Sequence, residues 1–150
     1  MTTAPATDVL AELIESKHRV LVQLRSLGER QLALAQDGLM TELLDVLGLK
    51  QRVLAQLQSI ERALEPFRGQ QPQSRRWRSA DARRRCGERL AECESLLAAI
   101  LQQEKQSEQE LTRRRDAAAR QLAGMHTAAE ARCAYLAPAE CPAGQLDLNT

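Results

Sequence analysis

The side chains best suited to chemistry in this chain are four cysteines, Cys86, Cys93, Cys133 and Cys141, two histidines, His18 and His126, and a dense arginine group around the only tryptophan. A zinc site would need thiolates and imidazoles at short spacings, such as a C-x-x-C pair with a histidine nearby. No such pair occurs, and the histidines stand far from the thiols and from each other. No metal site and no cofactor are expected. Nucleophilic or phosphate chemistry would need a recognisable setting, and the sequence holds no G-x-x-x-x-G-K, G-x-G-x-x-G, H-E-x-x-H or G-x-S-x-G. Acidic pairs such as Glu108 and Glu110 lie in a strongly polar stretch, where solvated carboxylates greatly outnumber acid/base pairs. The expectation is a binding protein with no catalytic residues, not an enzyme.

Arg75, Arg76, Arg78, Arg83, Arg84 and Arg85 put six arginines within eleven residues around Trp77. Arginine clamps phosphate and an aromatic ring stacks on a base, so this is the best local case for nucleic acid. A net charge of +1 and the lack of a second basic patch argue against it. The competing reading is a solvated linker whose Trp77 tucks over the end of a helical hairpin.

The elements that must carry these residues are helices. The chain of 150 residues holds 24 Leu and 23 Ala against one Trp, one Tyr and one Phe, a balance for narrow helical seams and not for a sheet. The fold class is read as all-α. Gln73 to Ala137 runs without a proline and with two glycines, favouring one very long helix. Its part from Ala80 to Tyr135 would span roughly 80 Å at ~1.5 Å per residue, about twice the reach of the upstream helices. On such a helix Cys86 and Cys133 lie roughly 70 Å apart, too far for a disulfide with its ~4–7 Å Cα separation. All four cysteines therefore read as reduced thiols. No apolar run approaches the ~18 residues of a membrane span, and Met1 to Pro5 lacks signal-peptide character, so a cytosolic protein is expected.

Residues 1–7 read as a disordered lead-in, with Thr7 or Asp8 capping helix 1 over 8–36. Leu10, Leu13, Lys17, Val20, Leu24, Leu27, Gln31 and Leu34 step by three and four, a coiled-coil seam widened by Ile14 and Leu21. Lys17 and Gln31 either fix register or, the favoured reading, lie along the seam edge with their polar heads in water. Asp37-Gly38 signals a turn, with Asp37 and Thr41 as caps for helix 2 over 39–65. Leu43, Leu47, Lys50, Leu54, Leu57, Ile60 and Leu64 form its seam, and Gly48 inside it suggests close approach of another helix. A linker over 66–79 leads to helix 3 over 80–136, whose first half offers Leu90, Cys93, Leu97 and Ile100 for packing. The whole reads as an antiparallel three-helix coiled-coil bundle with a long third helix extending beyond the first two.

Beyond a polar stretch, apolar residues return at Leu111, Ala118, Leu122, Met125, Ala129, Cys133 and Leu136. This narrow, alanine-rich row suits a groove for another protein's amphipathic helix, because small residues admit close approach and methionine adapts. The competing cover is helix 1 or a second copy of the chain. Tyr135 and Leu136 sit at the root of a tail, 137–150, read as flexible.

A leucine-seamed first helix, the turn at Asp37-Gly38, then Leu43-Leu44, Lys50-Gln51, Leu54 and Leu57, a linker, a much longer third helix and a tail rooted at a tyrosine resemble the flagellar export chaperones of the FlgN type. The likeness covers Asp8 to Leu136. It implies a cytoplasmic chaperone that holds hook-associated (hook–filament junction) proteins by their amphipathic C-terminal segments and delivers them to the flagellar type III export gate. It further implies that Leu111, Ala118, Leu122, Met125 and Ala129 receive the substrate and that Tyr135 contributes to docking at the gate. The basic linker Arg75 to Arg85 has no counterpart in that pattern. The alternative is a self-associating coiled-coil scaffold that forms a homodimer through helix 3.

Overall fold

The computed structural model describes residues 6–136. Three helices make up nearly all of it, α1 (Ala6–Asp37), α2 (Met40–Arg68) and α3 (Ala80–Tyr135), with a 3-10 turn at Pro72–Ser74 and no strand among the described residues. The chain divides into two compact units, Met1–Glu110 and Leu111–Thr150. The tail over 137–150 and most of the N-terminal lead-in lie outside the described residues.

α1 begins two residues earlier than its sequence suggests. Thr7, read as a cap, is instead buried, and its hydroxyl donates to the Arg76 carbonyl at 2.6 Å, tying the linker to the start of α1. At the other end Gly38 has φ 73°, the left-handed conformation that glycine adopts without strain. The Gly38 amide reaches the Ala35 carbonyl at 3.3 Å and the Leu39 amide the Leu34 carbonyl at 3.0 Å, the paired bonds of a Schellman stop. α2 then starts with no side-chain cap, so Asp37 and Thr41 do not serve as expected. It also passes through Pro66 to Arg68, three residues beyond the break read from the sequence. Proline's fixed φ is compatible with a helix, and the last turn is held by Phe67 packing on the core and by Arg68 pairing with Glu61 and Glu65.

The core of the first unit gathers Leu10, Ile14, Val20, Leu21 and Leu24 of α1 with Leu64 and Cys93. Each fully buried leucine contributes about 1.5–3 kcal/mol. Lys17 reaches Glu61 at 2.7 Å and Gln31 reaches Lys50 at 2.9 Å, so α2 returns along α1. Arg89 meets Glu15 at 2.9 Å while Gln103 lies against Gly28, so α3 follows the direction of α1.

Two expectations about the seams are corrected. Leu90 and Leu97 are 40% and 41% exposed; the inward residues of α3 are Cys86, Arg89, Cys93, Leu96, Ile100, Gln103 and Ser107. Cys93 and Ile100 belong to both sets and pack inward as expected; beside them Arg89 and Leu96 take the places read for Leu90 and Leu97, and the Arg89 guanidinium reaches Glu15 of α1 at 2.9 Å. Gln31 is 2% exposed rather than snorkelling, since Lys50, also buried, donates to its Oε1 and pairs with Glu104. The close-approach glycine is Gly28, where an added Cβ would lie 2.5 Å from Gln103 Oε1; Gly48 faces open space.

Candidate partner-binding face

The described part of the second unit, 111–136, is helical to Tyr135 because its composition leaves little else: alanine dominates, and His126 and Glu130 pair one turn apart at 3.0 Å. The Leu136 amide still donates to the Arg132 carbonyl at 3.1 Å, closing the last turn. At 100° per residue, Leu111, Ala118, Leu122, Met125, Ala129 and Leu136 fall within about 40° of one line. Leu111 is half-buried, whereas Ala118 and Ala129 are exposed and Leu122 and Met125 stand 66% and 62% open. Tyr135 is 95% exposed and lies about 120° round the helix from that line, so the tyrosine and the apolar row address different directions.

Such a row can do one thing chemically, which is to bury apolar surface against something else. It offers no nucleophile and no acid/base pair. Cys86 and Cys93 are free thiols in the first unit, and burial pushes both upward from the ordinary value of 9.0, leaving them protonated and poorly nucleophilic at neutral pH. The Cys93 thiol faces the Ile14 carbonyl at 3.9 Å. Cys133, at the edge of the row, is disulfide-bonded, which corrects the reading of four reduced thiols. The distance argument had excluded only a bridge to Cys86. Among the described residues no cluster of three or more His, Cys, Asp or Glu side chains could hold a metal ion.

Three of the six arginines find partners within the chain, although only Arg75 is partly buried and Arg78 and Arg84 stay exposed. Arg75 donates to the Phe67 carbonyl at 2.6 Å, Arg78 pairs with Asp8, and Arg84 pairs with Asp81. Trp77 packs against the core, as the linker reading has it. The groove beside Arg78 and Arg85 is also lined by Asp8, Glu12 and Glu15, three carboxylates that would repel a phosphate backbone. No helix is long and apolar enough to cross a membrane among the described residues.

Sequence reasoning passed over Arg89, Gln103, Ser107 and Gly28. The seven-residue recurrence of Cys86, Cys93, Ile100 and Ser107 was the available signal, masked because serine does not look like a core residue. No protein-family model, no curated protein and no solved structure matches the chain.

Proposed function

We propose that this chain is a cytoplasmic export chaperone of the FlgN kind, an antiparallel three-helix coiled coil whose long third helix presents the row Leu111, Ala118, Leu122, Met125, Ala129 and Leu136 to amphipathic C-terminal segments of flagellar hook-associated proteins. The observation that carries the proposal is the exposure of Leu122 and Met125 within an apolar row on a helix whose other positions are alanine and polar residues. Isolated exposed apolar residues are ordinary, but an aligned row over several turns is the feature of a helix-docking surface. Covering it gains about 25 cal/mol per Å² of apolar area, and ordering an unfolded segment takes back several kcal/mol. A micromolar complex results, firm enough to keep the cargo from premature assembly and weak enough to release it. Tyr135, open and off the row, remains available to the export gate while cargo is bound.

The test is a Leu122→Glu, Met125→Glu double variant. Helicity and melting stay within experimental error of the parent, because neither side chain is packed, while capture of hook-associated C-terminal segments in a titration falls at least a hundredfold. Capture that survives the change rejects the site. A concentration-independent dimer in sedimentation that the same change dissolves would favour the scaffold instead.

A further inference from the structure

Within the first unit α3 carries two stripes, and its own bundle uses only one. The inward positions run from Cys86 to Ser107 in alternating steps of three and four. Shifting them by one residue, about 100° round the helix, gives a second stripe of the same spacing. With Arg83 one turn ahead of it, that stripe passes Gly87, Leu90, Leu97 and Leu101 and ends at Glu108. All of these residues are exposed, and Leu101 stands 63% open. Leucine at heptad spacing is the seam of a helix–helix contact, so what fits this stripe is another helix.

The charges at its two ends say which helix. Arg83 and Glu108 lie about 38 Å apart along α3, too far to meet within one chain. Neither side chain has an ion-pair or hydrogen-bond partner among the described residues, whereas their neighbours do: Arg84 pairs with Asp81, Arg89 with Glu15, and Glu104 with Lys50. Laid antiparallel, a second copy of the stripe brings its Glu108 to Arg83 and its Arg83 to Glu108. The same register sets Leu90 against the second copy's Leu101 at both ends, because 83 with 108 and 90 with 101 share one midpoint on the chain. The two Leu97 side chains then lie about 4.5 Å apart along the axis, within one turn of each other. A parallel pair would set Arg83 on Arg83 and Glu108 on Glu108. Near the two-fold axis the two Glu94 carboxylates approach each other, but they stand about 40° off the line of the leucines and turn to water. They weaken the contact without blocking it.

We propose that the first unit self-associates through this stripe as a closed two-fold dimer, α3 antiparallel to α3 of a second copy, with Arg83 and Glu108 paired at each end. The contact uses no residue of the row from Leu111 to Leu136, and loss of the docking function above would leave it standing.

Sedimentation equilibrium of the full chain shows a reversible dimer with a dissociation constant in the micromolar range. Leu97→Glu, at an exposed position where helicity by circular dichroism stays that of the parent, raises that constant by roughly tenfold or more. Arg83→Glu and Glu108→Arg each weaken the dimer. Mixed in equal amounts, these two single variants form a heterodimer tighter than either alone, and the Arg83→Glu, Glu108→Arg double variant returns to the parent. Raising the salt shrinks the differences among the charge variants. Leu122→Glu, Met125→Glu leaves the dimer unchanged.

A monomer throughout the micromolar range overturns the proposal. So does a dimer that survives Leu97→Glu, and if the Leu122→Glu, Met125→Glu change dissolves it instead, the self-associating row is that of the second unit. Single charge variants that fail to rescue each other overturn the antiparallel register and the pairing of Arg83 with Glu108.

Discussion

Lys50 shows how a polar residue earns a place inside this bundle. Its ammonium donates to Gln31 Oε1 at 2.9 Å and pairs with the more exposed Glu104, so all three helices meet at one buried cation. Removing it strands the Gln31 acceptor, and Lys50→Met is expected to cost about 1–3 kcal/mol in urea unfolding. Adding Gln31→Leu restores most of that loss, because two apolar residues need no partner. Glycines divide by the same logic. Gly48→Ala meets nothing within 4 Å and raises stability by ~1 kcal/mol through helix propensity, read as a higher melting temperature. Gly28→Ala has no such gain, since its methyl group must push the Gln103 side chain aside.

Between α1 and α2 the informative contact is electrostatic. Partial burial pushes the Glu61 carboxyl up, but Lys17 and Arg68 outweigh it and hold the group below its ordinary value of 4.5. A carboxylate depressed in the folded state stabilises above 4.5, and that contribution is lost as pH falls from there through the folded-state value. The exposed share of the pair is screened, so the effect is modest. Melting followed from pH 6 to pH 3 therefore falls more steeply in the parent than in Glu61→Gln. Equal slopes would show that the pair contributes nothing to folding. The boundaries of these elements were only partly legible in the chain. The turn at Gly38 announced itself through Asp-Gly. The end of α2 did not, because Pro66 reads as a break and only the docking of Phe67 and the ion pairs of Arg68 carry the helix past it.

Across the whole molecule, burial separates α3 into two kinds of helix. Residues 86–107 contribute inward side chains in every turn, whereas 115–132 contribute none. Amide exchange is expected to follow: protected over 86–107, orders of magnitude faster over 115–132, with the second segment slowing when a partner helix is bound. Uniform protection along α3 in the free chain would contradict that division. The all-helical class, the three long helices and the apolar row from Leu111 to Leu136 were determined by sequence alone, because composition and periodicity are properties of a single helix before it meets another. Tertiary structure decided which of two equally spaced stripes of α3 turns inward, that Gln31 and Lys50 are buried, that Gly28 and not Gly48 is the point of contact, and that Leu122 and Met125 are left open. Each of those depends on which neighbouring face is within reach, a distance that no spacing along one chain contains.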